Sequence, residues 1–152
     1  MHRATIFCLC LSAAVAAGWA AGPTERKLAY KEIPAAARSA FEKQFAGARV
    51  LGASAETAPG GTVYEVECEW RGRHHDITFG PDGALVAVEE TIPASEAPAA
   101  VLAALRKEFP KAQVARVEKI TEGGAVSYEF QLKGAAKREA KFSPDGKLIS
   151  AE

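Results

Sequence analysis

Phe79-Gly80-Pro81-Asp82-Gly83-Ala84-Leu85 returns as Phe142-Ser143-Pro144-Asp145-Gly146-Lys147-Leu148. In each copy Pro fixes φ and the following Gly permits φ > 0, which specifies a tight turn between two strands. Upstream of both turns the same order of residues recurs. Tyr64-Glu65-Val66 matches Tyr128-Glu129-Phe130, and Ala48-Arg49-Val50 matches Ala112-Gln113-Val114. Phe41-Glu42-Lys43-Gln44-Phe45 matches Leu105-Arg106-Lys107-Glu108-Phe109, and Pro34-Ala35-Ala36 matches Pro98-Ala99-Ala100. The offset is 64 residues until the turns, where it becomes 63. Matches held in one register over this length predict a duplicated unit.

Each unit reads as one helix followed by strands. Ala37, Phe41 and Phe45 form an apolar stripe at helical spacing, opened by Pro34 and closed by Gly47. Val101, Leu102, Leu105 and Phe109 form the second stripe, with Ser95 as the expected N-cap, Pro98 in the first turn and Pro110 as the stop. Val50 to Thr57 reads as the first strand. Tyr64, Val66, Cys68 and Trp70 then alternate with Val63, Glu65, Glu67 and Glu69, a period of two. Arg71-Gly72 is a two-residue turn, and the chain returns through His75, Ile77 and Phe79. Leu85 to Glu90 is the last strand, and the second unit repeats the plan through Tyr128, Phe130, Leu132, Ala140, Phe142, Leu148 and Ile149.

The expected fold class is therefore α+β, a tandem repeat of one helix on a four-stranded antiparallel sheet (α-β-β-β-β twice). A unit this small buries too little surface alone, so the two are expected side by side in one sheet of eight strands. One sheet face would be covered by helices and the other solvated.

The chain of 152 residues has 48% apolar and 25% charged residues, as folded domains do. Lys plus Arg and Asp plus Glu stand at 19 each, which gives no overall attraction to nucleic acid or anionic membrane. His2 and Arg3 precede a nearly uninterrupted apolar run from Ala4 to Ala17, and Gly18-Trp19-Ala20 supplies small residues at a cleavage site. Residues 1–20 thus read as a secretory signal peptide cut after Ala20. The run is too short to span a membrane, and no other apolar run is longer, so no stable span is expected after cleavage. Cys8 and Cys10 leave with the signal, and Cys68 alone cannot form an internal disulfide.

The Pro-led helix, the Tyr-Glu-Val or Tyr-Glu-Phe strand and the Phe-x-Pro-Asp-Gly-x-Leu hairpin resemble the PepSY-like, β-lactamase-inhibitor-like domains of exported bacterial proteins. The resemblance covers about residues 33–152. It divides the chain into a signal peptide (1–20), an N-terminal linker (21–32), a first PepSY-like repeat (33–92) and a second (93–152). It implies a periplasmic or secreted binding role with no enzyme activity and no cofactor. Tandem inhibitors of β-lactamase, similar in shape, hold the enzyme with a concave sheet face and hairpin loops. This chain lacks their paired cysteines and has short hairpins, so no inhibitory residue is transferred.

Trp70, Arg71, Arg73 and His74, at a hairpin tip, are the candidate partner-binding residues, because Trp and Arg concentrate at binding hot spots. The two-residue turn pairs Trp70 with Arg73, Glu69 with His74 and Cys68 with His75. Cys68 and His75 would share the inner face, and Glu67, Glu69, His74 and Asp76 the outer one. Neither set assembles a zinc tetrad, so no metal site is assigned. Glu65, Glu67 and Glu69 read as a solvated acidic row, since nothing predicts the desolvating pocket that a catalytic carboxylate needs. No Gly-x-Ser-x-Gly elbow or phosphate-binding loop occurs. The sequence thus points to an exported binding module for an envelope or extracellular protein. The other reading is a small-ligand or metal-ion binding or sensing protein.

Overall fold

The computed structural model describes residues 24–58 and 60–152. The expected signal peptide and its cleavage site lie outside them. Nine strands form one antiparallel sheet in chain order: β1 Thr24–Lys27, β2 Arg49–Ala58, β3 Gly61–Trp70, β4 Arg73–Phe79, β5 Leu85–Thr91, β6 Gln113–Glu122, β7 Ala125–Lys133, β8 Glu139–Phe142 and β9 Leu148–Ala151. Helix α1, Ala35–Gln44, precedes β2, and α2, Ala99–Glu108, lies between β5 and β6. No described helix is long and apolar enough to cross a membrane.

The ninth strand comes from the segment expected as a linker. β1 pairs with β2, and its four residues Thr-Glu-Arg-Lys are all exposed. No alternation of apolar and polar residues announces it. It is held by the β2 edge, and its charges blunt the edge that it leaves.

Both helices start where a proline dictates. Pro34 and Pro98 are the N-caps, with ψ 139° and 144°, and their carbonyls accept the first helical bonds from Arg38 and Leu102. Ser95 is not the cap of α2. It lies in a 3-10 turn, Ala94–Glu96, separated from the helix by Ala97 in extended conformation. The ring of Pro98 disfavours helical backbone at the residue before it, so α2 cannot extend back to Ser95. Gly47, at φ +81°, follows the end of α1.

The apolar stripes pack as their spacing requires. Ala37, Phe41 and Phe45 meet Val66, Cys68, Ile77 and Phe79 in one core. Val101 and Leu105 meet Val117, Phe130, Leu132, Ala140 and Phe142 in the other. Each fully buried side chain of this size contributes about 1.5–3 kcal/mol. Phe41, Phe45 and Phe79 also pack ring against ring at 5.7–6.5 Å.

The Pro-Asp-Gly turns are fastened to the helices. Gly83 and Gly146 both stand at φ +85°. A Cβ on Gly83 would lie 2.7 Å from the Ala36 carbonyl oxygen, and one on Gly146 2.6 Å from that of Ala100. Both glycines are thus required twice, by the left-handed backbone and by close approach to the first turn of a helix. The hairpin β3–β4 turns on Arg71 and Gly72, at φ 51° and 77°, and β6–β7 on Gly123 and Gly124, at 55° and 84°. Two consecutive positive φ values match the right-handed twist of the flanking strands.

Gly83→Ala and Gly146→Ala should each destabilise the protein by about 1–3 kcal/mol in urea unfolding. Gly60→Ala, where nothing lies within 4 Å of the added carbon and φ is ordinary, is the control expected to stay near wild type.

Candidate functional site

The two faces of the sheet differ in kind. The helix face holds the cores. On the other face the pairing register sets side by side Ser54, Glu65, Thr78, Ala87 and Glu122 in one row. The next row is Gly52, Glu67, Asp76, Glu89, Ile120 and Ser127. A further row, beginning in the second half, is Thr91, Glu118, Glu129, Lys141 and Ser150. Among the described residues the strands bring eleven carboxylates to this open face, Glu25, Glu56, Glu65, Glu67, Glu69, Asp76, Glu89, Glu118, Glu122, Glu129 and Glu139. Against them stand five basic side chains, Lys27, Arg49, Arg116, Lys133 and Lys141. A chain of zero formal charge thus has one strongly acidic face.

The face is not uniformly solvated, contrary to the expectation above. Asp76, Thr78, Glu89, Glu118 and Ile120 are 7, 2, 5, 1 and 3% exposed. They sit on β4, β5 and β6, the middle strands, which have neighbouring strands on both sides. Solvation was expected from the pattern of a four-stranded unit, whose strands all lie near an edge.

Asp76 of β4, Glu89 of β5 and Glu118 of β6 come together there, with one oxygen from each within 4.8 Å of the others. Arg116 Nη2 pairs with Glu118 Oε1 at 2.9 Å, and His74 Nε2 lies 3.4 Å from Asp76 Oδ1 and 3.8 Å from Glu67 Oε1. Burial is the leading cause of the raised carboxyl pKa values. It pushes Glu89 up to about 9, helped by the charges of Glu118 and Asp76. It pushes Glu65 up to about 8, again helped by Asp76, and Glu118 up to about 7 against the pull of Arg116. Asp76 is raised by burial, against His74, and Glu129 by burial, against Lys141. A cleft of about 310 Å³ opens further along the face, lined among others by Glu122, Ser127, Glu129, Glu139 and Lys141.

The hairpin tip has the expected pairing: Trp70 opposite Arg73, Glu69 opposite His74 and Cys68 opposite His75. Its four candidate residues do not form one surface. Trp70 packs edge-on to Phe45 at 5.1 Å and His75 at 5.7 Å, and donates Nε1–H to the Ala46 carbonyl. Arg71 lies 4.1 Å over the Trp70 ring. Arg73 bridges Glu90 and Glu96, each at 2.8 Å, and so ties the tip to β5 and to the 3-10 turn before α2. His74 faces the other way, onto the acidic face. Cys68 is buried, and burial pushes its thiol up to about 11, which makes it inert at neutral pH. Glu89 meets Asp76 directly across β4–β5, and Glu118 joins them only through the β5–β6 pairing, which no local signal sets. The signal for them was their place on the polar face of the strands on either side of the joint.

The family described as "Putative beta-lactamase-inhibitor-like, PepSY-like" matches residues 62–150, from β3 to β9 and across the joint at 92–93. The chain belongs to this family. No curated protein matches it. A BLIP-like protein from Bacteroides fragilis has a similar structure, with 20% identity, a TM-score of 0.60 and coverage of 78% of this chain and 85% of that one. A protein from Bacteroides eggerthii described as a "putative periplasmic" protein gives a TM-score of 0.66 at 20% identity, covering 78% and 87%. A DUF2874 family protein from Bacteroides uniformis gives 0.66 at 19%, covering 78% and 88%. At these identities the likeness is one of fold.

The raised carboxyl groups set the sign of a pH dependence. Glu65, Glu89 and Glu118 are protonated in the folded state at pH values where the unfolded chain, near 4.5, has ionised them. Their stabilising contribution is complete below about 4.5 and is lost as pH rises through about 7 to 9. In metal-free buffer the protein should unfold at lower urea concentration at pH 9 than at pH 5.5. Glu89→Gln should flatten that slope and raise stability at pH 9.

Proposed function

We propose that this member of the PepSY-like family is an exported, non-enzymatic binding module acting in the periplasm or outside the cell. Its two halves are tandem copies of one α-β-β-β-β unit, and its open sheet face meets a protein partner. The excess of carboxylates on that face, eleven against five, carries the reading. It selects a partner with a Lys- and Arg-rich surface, and complementary charge speeds encounter as well as fixing register. A sheet of nine strands offers the breadth that a stable interface needs, about 800 Å² per side. The description of similar structures as periplasmic or BLIP-like supports the compartment and the mode of binding.

Within this reading the hairpin tip forms the rim of the interface. Trp70 and Arg71 present a stacked pair, His74 enters the acidic face, and Arg73 holds the tip in place through Glu90 and Glu96. The absence of enzyme activity is supported by the family, whose description names an inhibitor-like role.

Tagged protein cross-linked in the envelope of its host should capture one dominant protein. Changing Glu67, Glu122 and Glu139 together to Lys should reduce that capture at least tenfold, whereas Arg106→Glu on α2 should not. Capture kept by the acidic-face variant but lost in Trp70→Ala/Arg71→Ala would move the site to the hairpin tip. Capture no richer than a tag-only control would remove the protein-binding reading in favour of a small ligand or ion.

A further inference from the structure

The three carboxylates at the centre of the open face have a property that a solvated acidic row lacks. Glu118 is 1% exposed, and its Oε2 is buried without a hydrogen-bond partner among the described residues. Thr91, the register partner of Glu118 across β5–β6, has its Oγ1 in the same condition. Buried acceptors are almost always satisfied, and each one left open costs about 1–3 kcal/mol. Two buried oxygens without a partner, on facing residues, thus adjoin three carboxylates that bring one oxygen each within 4.8 Å of the others, with Arg116 paired to Glu118 and His74 to Asp76.

We propose that Asp76, Glu89 and Glu118, with the hydroxyl of Thr91, bind a divalent cation of the Ca²⁺ type. The donor set is hard oxygen from three strands, with no thiolate and no imidazole among the three clustered ligands, which selects Ca²⁺ or Mg²⁺ over Zn²⁺. Burial favours Ca²⁺. Mg²⁺ dehydrates reluctantly and keeps several waters, whereas Ca²⁺ accepts a flexible shell of carboxylate and hydroxyl oxygens. Asp76, Glu89 and Glu118, at 7, 5 and 1% exposure, leave little room for a hydrated ion, and oxygens within 4.8 Å of one another can all reach one Ca²⁺. Arg116, paired with Glu118 Oε1, orients that carboxylate and leaves its second oxygen for the ion. The site needs no protein partner, and the partner reading needs no ion, so each can fail alone.

The test is calorimetric titration of the purified protein with CaCl2, MgCl2 and ZnCl2 at pH 7.5. About one Ca²⁺ should bind per chain, with Kd about 10⁻⁴–10⁻³ M, as in extracellular calcium modules. Glu118→Gln and Asp76→Asn should each weaken Ca²⁺ at least tenfold, and Glu139→Gln, elsewhere on the face, should leave it unchanged. Melting in chelator verifies that each variant folds, and Glu89→Gln replaces any that does not. No Ca²⁺ heat, equal loss in Glu139→Gln, or binding of Zn²⁺ in preference to Ca²⁺ would overturn the proposal.

Discussion

Five residue pairs, from Ala87↔Glu122 to Thr91↔Glu118, join β5 to β6 and make one sheet of what would otherwise be two small ones. Each half has its own helix and its own apolar cluster, and the two clusters share no buried residue. Backbone pairing thus carries the connection between the halves. It turns the last strand of the first half and the first strand of the second from edges into interior strands. Everything that distinguishes the open face follows from this ladder. Without it Glu89 and Glu118 would lie on exposed edges, fully hydrated and far apart.

The ladder also explains why burial and charge coincide. A strand at the middle of a broad sheet has neighbours on both sides, and their side chains shield it even on a face that no helix covers. Carboxylates placed there lose water and, standing beside one another, gain repulsion. Apolar residues at Asp76, Glu89 and Glu118 would serve the fold better, as Ile120 does in the same row. Three acids at positions that the fold disfavours are a local conflict of the kind that functional sites carry.

The sequence made the local structure legible because that structure is set by short-range rules. Proline before a helical stripe, alternation through Tyr64 to Trp70, and positive-φ glycines at Gly72, Gly83 and Gly146 each act within a few residues. Pairing within each half followed from turn length, so Cys68↔His75 and Glu69↔His74 could be read directly. β1 could not be read, because Thr24–Lys27 has no apolar side chain and depends on an edge built far along the chain. The cluster of Asp76, Glu89 and Glu118 could not be read either. Its members lie on three strands, one of them beyond α2, and no local signal sets the register across that gap. Trp70 and Arg73 have structural contacts that their types alone do not announce: the Trp70 ring packs on Phe45 and His75, and the Arg73 guanidinium is held by two glutamates.

Net charge misleads for a related reason. Equal numbers of acidic and basic residues exclude a general attraction to polyanions, yet they say nothing about how the charges are divided between surfaces. Alternation along each strand divides them. Residues of one parity go to the helix face, where apolar side chains are required, and charges of the other parity accumulate on the open face. Because antiparallel pairing keeps paired residues on the same face, the bias of each strand adds to that of its neighbours. Glu65, Glu67 and Glu69 of β3 thus become part of one field with Glu118 and Glu129 across the joint. A field built this way is broad and fixed by backbone, and its centre is partly desolvated, where Coulomb interactions are least screened. A cation or a basic partner arriving at that centre meets carboxylates whose hydration has already been given up during folding.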